Sequence, residues 1–399
     1  MSNRQTIIMC VQTFSVVFRD GQWELDAPCL ISEHQEYLKK YLGKVTSYRV
    51  LAMVDGSPLY SLYQPPLAHP AGVRSLDHRL QRRFKEKRIP ATATLSVIKN
   101  CQCECDHCSA VFYNHSQRPG LTKEELQEAV RQTVDLGVTT VIFLGGEPLL
   151  RKDLEEIICC VDPLKAVSIL FTNGELLDEK RCRSLKQAGL LGAFVSLDSS
   201  EAKIHDAFRH RKGLFDKAIS SIKEMRKAGL IAGISSYLSP QGMQMGHFEK
   251  MMELGKSIGA QEITFFDALP SGRWLKHEDF FLTPTHRQHI AQLVKHYRKQ
   301  GDYPGLSVQS TMTSEKGSAF CFAANTQFYM TALGDMCPCD FTPLTIGRFP
   351  EKSIKVLWEK MISSEPYCTR AKVCRMQDPV FRRQYIDPIP DHGPYPYPL

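Results

Sequence analysis

At 399 residues the chain has room for one large α/β unit with smaller appendages, since a single α/β barrel absorbs about 250 residues. Hydrophobic residues at 43% and charged residues at 23% exclude a disordered or fibrous chain. The net charge of +7, from 50 Lys and Arg against 43 Asp and Glu, is a modest excess that either draws an anionic partner weakly or simply keeps the chain soluble.

The first run, MSNRQTIIMCVQTFSVVF, is interrupted by Gln12, Thr13 and Ser15 and lacks a small-residue cleavage site. No stretch approaches about 18 continuous apolar residues, so no membrane span and a cytoplasmic location are expected. Fourteen cysteines in a reducing compartment argue for metal ligation or reactive thiols rather than disulfides.

Residues 1–90 read as a small α+β appendage. Short alternating runs at 7–18, 47–54 and 58–64 surround a helical stretch at 32–42, and 64-QPPLAHPAG-72 reads as a linker. The basic stretch 78-HRLQRRFKEKR-88 reads as a solvated helix face, because no zinc-finger or RNP-like pattern accompanies it, and nucleic acid is not an expected partner.

Residues 91–300 alternate apolar, β-branched runs with amphipathic stretches. The runs are 92–98, 138–146, 166–174, 191–200, 231–239 and 262–270; the helical stretches include 122–137, 178–190, 216–230 and 247–259, stopped by Gly137, Gly189, Gly229 and Gly259. Strands buried on both faces and joined by helices form a parallel sheet, and six right-handed crossovers close most of a barrel. The expected fold class is therefore α/β, a partial (β/α)6 TIM barrel, with a flat doubly wound sheet as the alternative. In either, reactive groups collect at the C-terminal ends of the strands.

The unusual motifs lie at those ends. After the first run, 100-NCQCECDHCSA-110 is open to four readings: a stapled loop, a zinc knuckle, a redox switch or an iron–sulfur cradle. Cys101, Cys105 and Cys108 supply three thiolates at CxxxCxxC spacing, and a four-iron cluster held by three cysteines keeps one iron open. A zinc knuckle would want paired CxxC elements, and only one occurs here. Cys103 lies at a spacing that points it elsewhere. Gly145, Gly146, Glu147 and Pro148 end the second run, Asn173 and Gly174 the third, Ser196 and Asp198 the fourth. The oxygens of Asn173, Ser196 and Asp198 suit either ribose hydroxyls or helix capping.

CxxxCxxC after the first strand and GGEP after the second resemble the radical S-adenosylmethionine (radical SAM) enzymes, over roughly residues 92 to 280. The resemblance implies a [4Fe–4S] cluster on Cys101, Cys105 and Cys108 whose open iron is chelated by S-adenosylmethionine. It places Gly145, Gly146, Glu147 and Pro148 beside that cofactor, with Glu147 accepting the methionine ammonium. The segment 205-HDAFRHRKGLF-215 resembles the family's HDxxRxxxGxF stretch, which makes Arg209 the partner of the cofactor carboxylate, and Gly272 and Arg273 match a loop after the sixth strand of related enzymes. One departure is His107, where the family usually has an apolar aromatic residue; it packs on the adenine edge or titrates near neutral pH. The implied activity is reductive cleavage of the cofactor to a 5′-deoxyadenosyl radical and abstraction of hydrogen from an unactivated carbon, with flavodoxin or ferredoxin as electron donor.

Beyond residue 300 the periodicity is lost and cysteines return as Cys321, Cys337, Cys339, Cys368 and Cys374. Their order resembles the SPASM or twitch extensions of the same superfamily. Five cysteines are too few for two clusters, so one auxiliary [4Fe–4S] cluster on four of the five is implied. The spare thiol is a buried small hydrophobe or a hydrogen donor to substrate, with Cys339 and Cys368 as the candidates. Cys10, Cys29, Cys159, Cys160 and Cys182 read as packing residues, and 394-PYPYPL-399 as an extended surface tail. For substrate, a ribosomally made peptide is preferred over a small molecule such as a tetrapyrrole, cofactor precursor, carbohydrate or lipid. The competing class is a non-catalytic metal-binding or redox-sensing protein.

Overall fold

The structure is a computed structural model, and it describes residues 14–114, 117–277, 280–312 and 321–399. The first half of the strand run at 7–18, and Cys10 with it, lies outside the described residues.

The six expected barrel strands are β1 (Thr92–Ser96), β2 (Thr140–Leu144), β3 (Val167–Thr172), β4 (Leu190–Ser196), β5 (Ile231–Leu238) and β6 (Glu262–Asp267). Each pairs in parallel with the next. This unreversed order decides between the two sheet types, because a doubly wound sheet reverses direction at a switch point and this one does not. The sheet also runs past residue 300. β7 (Gly305–Val308) pairs in parallel with β6, β8 (Gln327–Met330) in parallel with β1, and β9 (Met336–Cys337) antiparallel with β8. The nine strands follow the order β7-β6-β5-β4-β3-β2-β1-β8-β9, so the barrel is left open between β7 and β9.

The connecting helices follow local chemistry. Thr122 and Glu125 form a reciprocal capping box that starts the helix Lys123–Leu136. Gly259 ends the helix His247–Ile258 at φ 75°, a left-handed conformation that a side chain would resist. Apolar faces of these helices join the inward faces of the strands in one continuous core.

In the N-terminal part, two hairpins turn on Asp-Gly pairs with positive φ, at Asp20-Gly21 and Asp55-Gly56, the geometry two-residue hairpin turns require. Between them lies the helix Ser32–Val45. The expected linker at 64–72 is corrected: Pro70 opens a helix, Pro70–Phe84, because proline at the first helical position loses no hydrogen bond. The segment around Leu59 and Leu62 fills the floor of the barrel against Ile142, Ile169 and Phe194. Glu262, 1% exposed at the start of β6, anchors it by accepting from the Leu62 amide (2.8 Å), Ser61 Oγ (2.7 Å) and Ser307 Oγ (2.6 Å).

The C-terminal tail is tied down. Tyr397–Pro398 pairs with Leu344–Thr345, and Tyr395 stacks on Phe112 with centroids 4.0 Å apart. Among the described residues no helix is long and apolar enough to cross a membrane.

Candidate active site

The cysteine loop leaves β1 at the C-terminal face, and every neighbouring strand end grips it. The amides of Gly146 and Glu147 donate to the carbonyls of Ile98 (2.7 Å) and Asn100 (2.8 Å). A Cβ on Gly145 or Gly146 would collide with those same carbonyls, so the glycine pair is needed for the loop to lie against β2. On the far side the amides of Glu104 and Asp106 donate to the carbonyls of Arg209 (3.3 Å) and Phe208 (3.1 Å). The Arg273 amide reaches the Cys108 carbonyl at 3.3 Å, where Gly272, at φ 52°, leaves no room for a side chain.

Glu147 is buried, with burial pushing its carboxyl up to about 7. It accepts from Thr172 Oγ1 (2.7 Å), the Asn173 amide (2.8 Å) and the Leu149 amide (3.1 Å), which fastens the end of β2 to that of β3. Pro148 is buried and opens the 3₁₀ turn that follows. Asn173 caps the Glu175 amide at 2.9 Å and aims Nδ2 at the Cys103 sulfur. Ser196 lies at the cavity wall at the end of β4.

Asp198 and Arg209 form a buried ion pair at 2.5 Å. Arg209, with His107 and His205 beside it, holds Asp198 down to about 2 against the effect of burial. Ribose binding by Asp198 therefore competes with its pairing to Arg209. His107 is a correction: it packs among Phe208 (4.8 Å), Tyr237 (5.3 Å) and Trp274 (5.9 Å), and burial pushes it down to about 4, well away from neutral pH.

The orientation of Cys103 is also corrected. The backbone from Cys101 to Cys105 is irregular, with a bend at Gln102. Cys103 turns toward its neighbours and donates to the sulfurs of both, which lowers Cys101 and brings Cys105 down to about 7 while Cys103 is raised. Burial pushes Cys108 up to about 11.

Of the five downstream cysteines the structure brings three to the same cavity, Cys321, Cys339 and Cys374. The Cys374 thiol donates to Cys321 and pulls it down to about 6. Cys339 lies 3.1 Å from Thr342 Oγ1 and is pushed up to about 12 by burial. Cys337 is sealed between Tyr113 and Tyr329 instead, and Cys368 is exposed beside Glu365, away from the cavity wall. Of the packing cysteines, Cys182 is buried and Cys160 half-buried, but Cys29 and Cys159 are exposed.

Both cysteine groups face one cavity of about 770 Å³ running down the barrel interior. Two of its wall residues carry no motif in the sequence: Tyr63, whose hydroxyl lies 3.1 Å from Thr264 Oγ1, and Asp340, which accepts from Gln327 Nε2 at 3.1 Å and is pushed up to about 6 by burial.

Residues 95–255 match the family model described as Radical SAM superfamily. The chain carries a radical SAM domain over those residues. The AdoMet-dependent heme synthase of Methanosarcina barkeri is 25% identical over 291 residues, covering 68% of this chain and 82% of that one. Among solved structures, Streptococcus suis SuiB bound to the precursor peptide SuiA superposes with a TM-score of 0.57 at 16% identity, over 74% of this chain and 70% of that one. Native anSMEcpe with bound AdoMet gives 0.52 at 18% identity, over 70% and 82%. These structures share the fold of this radical SAM enzyme.

The superfamily implies S-adenosylmethionine and a [4Fe–4S] cluster, and the residues fit. Three thiols, one of them already depressed toward neutrality, line a walled cavity beside backbone held by glycines. Among the described residues no three His, Cys, Asp or Glu side chains converge around a single metal ion.

Proposed function

We propose that this radical SAM enzyme abstracts hydrogen from a small polar molecule enclosed in the barrel interior. The observation that carries the reading is the single cavity shared by the Cys101–Cys108 loop and by Cys321, Cys339 and Cys374. When bound, the cluster and S-adenosylmethionine supply a 5′-deoxyadenosyl radical. Cys101, Cys105 and Cys108 would hold the cluster, Gly145, Gly146 and Glu147 would form the cofactor's wall, and Arg209 would face its carboxylate. Cys321, Cys339 and Cys374 would hold one auxiliary [4Fe–4S] cluster. The barrel walls around the cysteine loop would limit the water that could quench a radical. A flavodoxin or ferredoxin in the cytoplasm would supply the electron.

The heme synthase relative supports a tetrapyrrole-like substrate with carboxylate side chains, since its likeness spans most of both chains. A second reading, modification of a ribosomally made peptide, is favoured by the likeness to SuiB with its precursor peptide. The test is anaerobic purification followed by incubation with deuterated candidates. Iron and sulfide near about eight per chain, and deuterium transferred into 5′-deoxyadenosine from a carboxylated tetrapyrrole, support the first reading. Transfer only from a peptide supports the second, and a colourless zinc protein sinks both.

A further inference from the structure

The cavity does not end at the barrel floor. It continues past Tyr63 and Gln64 to a mouth at the N-terminal ends of the strands, walled by Arg79, Arg82 and Arg83 of the helix Pro70–Phe84 and by Arg370 of the C-terminal part. Nothing acidic compensates them among the described residues. Arg79 donates to Tyr41 Oη at 3.3 Å and lies 4.0 Å over the Tyr41 ring; Arg82 donates to the Ile89 carbonyl at 3.0 Å; Arg370 reaches the Glu86 carbonyl at 3.4 Å. Arg79 and Arg370 both act on Arg82, and burial with their repulsion brings Arg82 down to about 10.

Arg79 and Arg82 are half-buried, with Arg83 and Arg370 exposed beside them at the mouth; half-buried cations without counter-charges are costly to hold in place, and a planar guanidinium fork matches carboxylate and phosphate oxygens. Electrostatic focusing in a low-dielectric cleft adds to the attraction. We propose that Arg79, Arg82, Arg83 and Arg370 form an anion-binding site at the N-terminal mouth of the barrel, which takes the carboxylate or phosphate groups of a small molecule reaching into the cavity. The site rests on the small-molecule reading for its purpose, but its existence is read from binding alone, without turnover.

The experiment is calorimetric titration of the cluster-loaded full chain, without S-adenosylmethionine, using inorganic pyrophosphate in one arm and citrate in the other. One or both should bind, and the arm that binds more tightly identifies the anion. Arg79→Gln combined with Arg82→Gln should weaken binding by about 10-fold or more, while Arg131→Gln with Arg183→Gln, an equal change of charge on exposed surface, should not. Should the first variant fail to fold, Arg370→Gln, exposed and in a separate segment, should weaken binding by several-fold. Slow 5′-deoxyadenosine release without substrate should be unchanged in every variant. Equal affinity in wild type and all site variants, or no binding of either anion, overturns the site. Anion binding lost as expected, with deuterium transfer only from a peptide, keeps the site and overturns the small-molecule reading.

Discussion

Asp198 accepts from Arg209 Nε at 2.5 Å, and both residues are 7% exposed. Arg209 ends the helix Ala202–Arg209, whose last carbonyls also receive the cysteine loop, so the pair locks the cluster loop's docking surface to the end of β4. Arg209→Gln leaves a buried carboxylate without its cation and should destabilise the fold by about 3–5 kcal/mol in urea denaturation. The folded Asp198 is depressed to about 2 from its ordinary 3.8, so its contribution is full above about pH 4 and is lost as pH falls through about 2. The stability gap between wild type and variant should therefore be constant at neutral pH and shrink on acidification; a gap that widens in acid would contradict the pairing.

Within the loop, Cys105→Ala should abolish both iron loading of the first cluster and release of 5′-deoxyadenosine. Cys103→Ala should keep both close to wild type, because its role between Cys101 and Cys105 is to share a proton. Iron content and visible absorption after anaerobic reconstitution check this, and loss of the cluster in the Cys103 variant would exchange the two assignments.

The downstream cysteines separate in the same assay. Cys374→Ser should lower iron from about eight to about four per chain, whereas Cys368→Ser should leave it unchanged. Cys368 lies at the surface and Cys374 at the cavity wall, so equal effects from the two would refute the grouping.

Gly272→Ala tests the loop after β6. Its φ of 52° and its contact with the Cys108 carbonyl leave the new methyl group against backbone that cannot step aside. A cost of about 1–3 kcal/mol is expected, together with reduced iron retention, because the loop carrying Cys108 must shift. Unchanged thermal stability and iron content would refute it.

The six barrel strands were legible because buried parallel strands are continuous β-branched runs, and their alternation with amphipathic helices suffices to place them. β7 and β8 were not, since each is only four residues long and lies in chain without periodicity. The start of the helix Pro70–Phe84 was hidden, although 78–88 read as a helix face, because proline and glycine signal both a linker and a helix start. At the site, CxxxCxxC and GGEP carry their meaning in spacing alone. The pairing of Asp198 with Arg209 depends on how the chain turns after β4, and the gathering of Cys321, Cys339 and Cys374 without Cys337 depends on which way a two-residue strand faces; neither is a local property.

Glu262 bonds Leu62 across 200 positions of the chain and Ser61 across 201, and its third donor, Ser307, follows 45 residues later. During synthesis the floor of the barrel therefore cannot set until the sixth and seventh strands have emerged, long after the residues that fill it. Such distant closure places this carboxylate among the late, slow events of folding, and until then the Leu59–Leu62 segment is held against Ile142, Ile169 and Phe194 by apolar contact alone, without its polar anchor.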